Sequence, residues 1–176
     1  MSLLAKKPIP TGKAEVSVAS GVLTVKGAKA TLTKRVHPSV SITVEPEGVK
    51  VTPKDSSKLA KALIGTFASH VKNMVQGVET PYTKKLILDG VGYRMELKGK
   101  TLVLTVGFSH PVELAIPEGV TATLEKNALT LASSDKEILG QFAADVRGVK
   151  PPEPYLGKGI HYEGEVILRK QGKKAV

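Results

Sequence analysis

The sequence predicts an α+β fold of two similar tandem domains, each an antiparallel sheet with one packed helix, followed by a basic C-terminal tail. Three observations lead to this prediction. Short Val-, Thr- and Ile-rich segments, separated by Gly and Pro, recur in both halves of the 176 residues and are typical of strands. A helical pattern of apolar residues follows the strands in each half. Residues 146–176 carry 7 basic and 3 acidic side chains, a net charge of +4.

The first half contains four predicted strands and then a helix. The predicted strands are 22–26, 30–36, 40–44 and 49–52. From Ser57 onward apolar side chains recur every fourth residue, which places them on one face of a helix. This predicted face is Leu59, Leu63, Phe67, Val71 and Val75. Asp55, Ser56 or Ser57 can cap the start of the helix, and Gly77 suits the position just after its end.

The second half repeats this order. After a strand-like segment at 84–89, the predicted strands are 102–106, 112–116, 120–124 and 128–132. A helix is predicted to begin at Ser134, because Glu137 three residues later completes a capping box. Its apolar face would be Ile138, Phe142 and Val146.

Local matches between the halves indicate a duplication. His37-Pro38 and His110-Pro111 each precede a predicted strand, and Val75-Gln76-Gly77-Val78 resembles Val146-Arg147-Gly148-Val149 near the helix ends. Pro81 interrupts regular structure, so the junction is expected near Thr80 to Thr83. The predicted domains are therefore 1–81 and 82–154, with a tail at 155–176 that leaves through an extended, proline-rich segment.

The charge distribution favours a polyanionic partner. The formal net charge is +10 and the sequence pI is about 9.7, and a surface this basic attracts nucleic acid or an anionic membrane. Residues 1–80 carry 12 basic and 5 acidic side chains, whereas residues 81–145 carry 7 and 8. The basic tail also contains Tyr155 and Tyr162, and cations interleaved with aromatics suit RNA. A solvated terminal extension is the alternative.

Residue types exclude several other functions. The chain has no cysteine, and its four histidines lack the spacing of a metal site, so neither a metal nor a cofactor is expected. Neither Gly90-Val91-Gly92 nor Gly157-Lys158-Gly159 extends into a nucleotide-binding motif, and Ser109-His110 lacks the nucleophile elbow of a hydrolase. No apolar stretch is long enough to span a bilayer. We therefore expect a soluble, unexported and non-enzymatic protein.

Three motifs in order carry a resemblance to a known family. They are Asp89-Gly90-Val91-Gly92-Tyr93-Arg94, Gly107-Phe108-Ser109-His110-Pro111-Val112 and Pro152-Glu153-Pro154-Tyr155-Leu156-Gly157-Lys158-Gly159-Ile160. With Lys7-Pro8-Ile9, Asn73-Met74 and the basic finish, the sequence resembles the family of the sixth large-subunit ribosomal protein, L-six, over nearly its whole length.

The resemblance implies a structural constituent of the large ribosomal subunit that binds its RNA near the sarcin-ricin loop and the landing site of translational GTPases. Neighbouring ribosomal proteins would be its other partners, and no stable homo-oligomer is expected. The family's RNA-contacting residues map onto Tyr155, Gly157, Lys158, Gly159, Tyr162, Arg169, Lys170, Lys173 and Lys174. Leu156, His161 and Lys150 depart from the family pattern, which usually has Lys, Arg and Arg there. A free-standing regulator that binds RNA or DNA is the alternative function.

Overall fold

The computed structural model describes residues 7–172 and contains the following helices and strands in that range. The strands are β1 (Glu15–Ala19), β2 (Val22–Lys26), β3 (Thr31–Arg35), β4 (Val40–Glu45), β5 (Gly48–Pro53), β6 (Tyr82–Asp89), β7 (Arg94–Lys98), β8 (Thr101–Thr105), β9 (Val112–Ala115), β10 (Val120–Glu125), β11 (Ala128–Ser133) and β12 (Gly159–Tyr162). The helices are α1 (Lys58–Glu79) and α2 (Lys136–Val149). The chain divides into two compact units, one ending at Pro81 and the other beginning at Tyr82, except that Ser134–Lys136 groups with the first.

The first unit combines a three-stranded antiparallel sheet, a hairpin and one helix. The sheet has the order β1-β2-β3, and β4 pairs with β5 in the hairpin. Ile9 adds one antiparallel bridge to Val49, with both N–H···O distances at 2.9 Å. Leu23, Val25 and Val49 are fully buried, because alternate strand residues point to the same face. The core of this unit lies between the strands and α1.

Of the three predicted caps of α1, Ser57 is the one that the structure shows. The Ser57 side-chain oxygen accepts a hydrogen bond from the Ala60 N–H at 3.1 Å, which satisfies a backbone donor that the helix leaves unpaired. Replacing Ser57 by alanine should therefore lower the unfolding free energy of the first unit by about 1 kcal/mol. Urea titration measures this, with the adjacent, exposed Ser56→Ala as control. Equal losses in the two variants would contradict the capping role.

Two predictions about α1 were wrong. Leu59 is 57 % exposed, and the buried face instead includes Ala60, Ile64 and Ala68 beside Phe67 and Val71. A row of residues spaced by four drifts about 40° around the helix at each step, so it leaves the core-facing side over four turns. Gly77 does not follow the helix end but is buried inside α1, which continues to Glu79.

The second unit repeats the architecture with two additional strands. Its three-stranded sheet has the order β7-β8-β9, and a four-stranded antiparallel sheet has the order β10-β11-β6-β12. The fully buried side chains of the four-stranded sheet include Leu86, Leu129 and Leu131 on its two central strands and Ile160 on the edge strand β12. They form one core with Leu139, Phe142, Ala143 and Val146 of α2.

The order of elements confirms an α+β fold of two similar tandem domains. In each unit a three-stranded sheet precedes a hairpin and then a helix. The chain just before the three-stranded sheet pairs with the second hairpin strand, through Ile9 on β5 and through β6 on β11. Each unit thus has two hydrogen-bonded sheets where the sequence suggested one. β1 and β7, the first strands of the two three-stranded sheets, were not among the predicted strands.

One of the sequence matches behind the duplication was wrong. His37-Pro38 lies in the turn before β4, whereas His110-Pro111 precedes β9 and therefore occupies a different place in the repeat. The true counterpart of the turn His37–Val40 is Pro117–Val120 before β10. Both turns are closed by a hydrogen bond from the valine N–H to the first carbonyl, at 3.0 and 3.2 Å.

The second helix also differs from its prediction. It begins at Lys136 rather than at Ser134, and Ile138 is 39 % exposed while Leu139 and Ala143 are buried. Phe142 and Val146 are buried as predicted. The segment assigned to a separate tail contributes β12 to the sheet of the second unit.

Candidate nucleic-acid interface

A closed loop connects α2 to β12. Pro154–Leu156 forms a turn that directly follows the proline-rich residues 151–153, which belong to no helix or strand. The Glu153 N–H donates to the Lys158 carbonyl at 2.9 Å, and the Gly157 N–H donates to the Glu153 carbonyl at 3.1 Å. The loop is therefore fixed by its own backbone, and it presents Tyr155 and Leu156 with 57 % and 65 % exposure.

Glycine is required at two positions in and after this loop. Gly159 has φ +140° and is buried, and a Cβ placed there would lie 2.6 Å from the Pro151 carbonyl oxygen. Gly157 has φ +78°, and a Cβ there would lie 3.0 Å from the Arg169 guanidinium. Side chains rarely adopt either backbone conformation. Contacts inside the chain therefore require glycine at both positions.

His161 of β12 has an acceptor at each ring nitrogen. Nε2 lies 3.1 Å from the Asp89 carboxylate, and Nδ1 lies 3.0 Å from the Tyr162 carbonyl oxygen. Both acceptors are satisfied together only when both nitrogens carry a proton. Burial lowers the pKa of His161, but the Tyr162 carbonyl and the Asp89 carboxylate, with a smaller contribution from Glu165, outweigh it and raise the pKa above its ordinary value.

This raised pKa makes the second unit sensitive to pH. A histidine whose pKa is higher in the folded state stabilises the fold below its unfolded pKa and loses that contribution as pH rises through the folded value. Titration of the His161 ring by NMR should give a pKa above the ordinary value, and Asp89→Asn should lower it. A pKa unchanged by Asp89→Asn would show that the carboxylate does not act on the ring.

A tight turn after β12 is held by Glu165. The Glu165 N–H donates to the Tyr162 carbonyl at 3.0 Å, and its side chain accepts from the Tyr162 N–H at 3.0 Å. The same carboxylate accepts two hydrogen bonds from Arg147, at 3.0 and 2.5 Å. These bonds, first that of Arg147 and then that of the Tyr162 amide, lower the pKa of Glu165 to about 2. Glu165 is therefore ionised throughout the physiological range.

The chain beyond this turn returns to the loop. The Lys170 N–H donates to the Pro154 carbonyl at 2.7 Å, and the Arg169 guanidinium lies against Gly157. Val166 and Leu168 are 84 % and 86 % exposed, so this segment is not a core strand. Arg169, Lys170 and the loop residue Lys158 are thereby gathered on one part of the second unit.

Comparison with known proteins bears on the whole chain. The family model described as "Ribosomal protein L6" matches residues 9–80 and 90–163, one match in each half. The chain belongs to the ribosomal protein L6 family. The sequence resemblance to the L-six family is thereby confirmed, and so is the expectation of a non-enzymatic protein, because this family is structural.

Individual relatives match the L6 chain nearly end to end. A protein of Desulfatibacillum aliphaticivorans named "Large ribosomal subunit protein uL6" is 46% identical over 175 residues, covering 98% of each chain. The protein of that name from Hydrogenovibrio crunogenus is 48% identical over 177 residues, covering 99% of each. The one from Lactiplantibacillus plantarum is 50% identical over 167 residues, covering 94% of this chain and 93% of the relative.

The structure separates the predicted site residues of this L6 protein into different environments. Tyr155, Arg169 and Lys170 are exposed, and Lys158 is half-buried. Tyr162 packs against the core of the second unit, and the Lys84 ammonium and the Arg147 guanidinium lie 4.8 and 5.9 Å from its ring centre. Its ring is thus engaged with the protein's own cations. Lys173 and Lys174 lie outside the described residues.

Sequence reasoning missed Arg147, Glu165 and Asp89 in the L6 chain. The side-chain contacts that join them connect distant positions, Arg147 with Glu165 and Asp89 with His161, which no local pattern indicates. Within residues 7–172 no three His, Asp or Glu side chains converge in a way that could hold a metal ion. No helix in that range is long and apolar enough to cross a membrane.

Proposed function

We propose that this protein is a structural constituent of the large ribosomal subunit, located in the cytoplasm, that binds large-subunit ribosomal RNA through the C-terminal part of its second unit. Its place would be near the sarcin-ricin loop and the landing site of translational GTPases. Family membership and the relatives' shared name support the assignment to the large ribosomal subunit. The resemblance described above is the basis for the location and for the expected neighbours, which are ribosomal proteins and GTPases rather than a second copy of the chain.

The observation that supports RNA binding is that some basic side chains near the C-terminal end form ion pairs with carboxylates, whereas others do not. Lys85 and Arg147 lie 2.8 and 2.5 Å from Glu163 and Glu165, so their charges are already balanced. Lys158, Arg169 and Lys170 have no carboxylate within ion-pair distance among the described residues. These three, which we call the cation cluster, remain available to phosphates.

The surroundings of the cation cluster suit RNA rather than a small anion. Tyr155 offers an exposed ring on the loop that contains Lys158, and bases stack on such rings. The Lys150 ammonium lies 5.4 Å from the Phe108 ring centre at the other end of that loop. Cations spread over one exposed loop and one returning segment match a phosphate backbone, whereas a single phosphate would need them to converge in a pocket.

Sedimentation tests the proposal. The full chain should migrate with large ribosomal subunits at moderate salt and dissociate as salt rises. Crosslinks within those subunits should join the chain to the sarcin-ricin region of the RNA. A chain that stays at the top of the gradient yet binds naked RNA or DNA would instead be a free-standing regulator, and one that crosslinks elsewhere on the subunit would refute the location.

A further inference from the structure

We propose that Glu165, although it is an anion beside an RNA-binding surface, is a positioning residue that RNA binding requires. This inference rests on the proposed function, and it assigns to Glu165 the task of assembling the cation cluster. An acidic side chain near RNA would ordinarily repel phosphates, so its removal would be expected to strengthen binding. The geometry points to the opposite outcome.

Glu165 fixes the direction in which the chain leaves the sheet. Its side chain and its N–H are both bonded to Tyr162, the last residue of β12, and the turn between them contains Gly164 with φ +80°. Its carboxylate is also held by Arg147 near the end of α2. The turn is therefore anchored to two elements of the second unit, and residues 166–172 leave it along one defined path.

Along that path, Arg169 and Lys170 are placed beside the loop that contains Lys158, the third member of the cation cluster. Beyond the turn, within the described residues, the contacts that hold the returning segment to the loop are the Lys170 N–H bond to Pro154 and the packing of Arg169 on Gly157. Val166 and Leu168 are exposed and Ile167 between them is only half-buried, so apolar packing adds little that could hold the segment in place. Without the anchored turn, Arg169 and Lys170 would sample many positions, and ordering them on RNA would cost conformational entropy.

The chain offers a matched control two residues away. Glu163 is 57 % exposed, and its carboxylate pairs with Lys85 at 2.8 Å rather than with the backbone of the turn. Glu163→Ala and Glu165→Ala remove the same side chain and the same charge from the same surface. Any difference between the two variants therefore reports the anchoring contacts and not the net charge.

The experiment measures the affinity of each full-length variant for purified large-subunit ribosomal RNA over a range of salt concentrations. Glu165→Ala should bind about tenfold more weakly, with a slope of log affinity against log salt that is smaller by about 1 to 2. Glu163→Ala should bind as well as the unmodified chain or slightly more tightly. Glu165→Gln, which keeps one acceptor oxygen, should fall between the unmodified chain and Glu165→Ala.

Two further measurements distinguish positioning from general destabilisation. Hydrogen exchange at the Lys170 amide, without RNA, should lose its protection in Glu165→Ala and keep it in Glu163→Ala. In a chain that already carries Arg169→Ala and Lys170→Ala, adding Glu165→Ala should leave RNA affinity nearly unchanged. If Glu165→Ala does not fold, as judged by circular dichroism, the comparison of Glu165→Gln with Glu163→Gln takes its place.

The outcomes separate this inference from the proposed function. If the unmodified chain fails to bind the RNA with a salt-dependent affinity, the proposed function fails. If the unmodified chain binds as expected but Glu165→Ala and Glu163→Ala bind equally well, or Glu165→Ala binds more tightly, the RNA-binding function stands and the positioning role of Glu165 is overturned.

Discussion

Replacing Gly159 by alanine should lower the unfolding free energy of the second unit by about 3 kcal/mol or more. The added Cβ would meet the carbonyl oxygens of Pro151 and Lys150 at 2.6 and 2.8 Å, and φ +140° is unfavourable for any side chain. The Lys150 carbonyl cannot move away easily, because its oxygen also accepts the Ile160 N–H at 2.8 Å. The start of β12 would be displaced from β6, and urea or thermal unfolding would show the loss.

Gly119→Ala is the control for Gly159→Ala. Gly119 also has a positive φ of +85°, but a Cβ there would meet nothing within 4 Å. Gly119→Ala should therefore lower the unfolding free energy only by the backbone strain, about 1 kcal/mol. Similar losses at the two positions would mean that the contact with Pro151 is relieved at little cost.

Exchanging Lys158, Arg169 and Lys170 for glutamine together should weaken binding to large-subunit ribosomal RNA by roughly a hundredfold at physiological salt. Each phosphate that no longer meets a cation should also reduce the salt slope by about 0.7 to 0.9, so the triple variant should be flatter by about 2. Fluorescence anisotropy at several salt concentrations measures both quantities. The fold should persist, because within the described residues these three side chains are not part of the core.

A second triple variant removes the same charge elsewhere in the second unit. Lys98, Lys100 and Lys126 are exposed, and residues 81–145, in which they lie, carry a net charge of −1. Their replacement by glutamine should change affinity only slightly. Lys85 is unsuitable for this control because its loss would leave Glu163 without its partner. If both triple variants weaken binding equally, the RNA-binding face has been assigned to the wrong part of the unit.

The sequence predicted elements best where one residue type has one structural use. A polar cap within residues 55–57 and the burial of Phe142 follow from local chemistry alone, whereas the structure was needed to identify Ser57 as the cap. The strand β12 could not, since Gly159-Ile160-His161-Tyr162 shows no clear alternation and is a strand only because β6 has an open edge for it. Tertiary pairing overrides local preference at such positions.

In the candidate site, too, the sequence showed local properties but not those that depend on tertiary contacts. Charge counting found the basic end of the chain, and the resemblance supplied individual residues. Neither could separate Arg147, which Glu165 holds, from Lys158, for which no carboxylate partner is found in the described range. That separation depends on contacts between residues far apart in the chain, such as Lys85 with Glu163 and Asp89 with His161.

The pairing of Ile9 with Val49 and of β6 with β11 has a consequence for the order of events during synthesis. Each unit begins with the segment that is paired last, because its partner strand follows about 40 residues later in both cases. The second neighbour of β6 is synthesised later still, since the residues of β12 follow their partners in β6 by 70 to 76 positions. Until then Leu86 and Leu88 belong to an incompletely covered strand that is prone to non-native association. A nascent chain stalled before β11 should therefore be captured by chaperones more strongly than one stalled after β12.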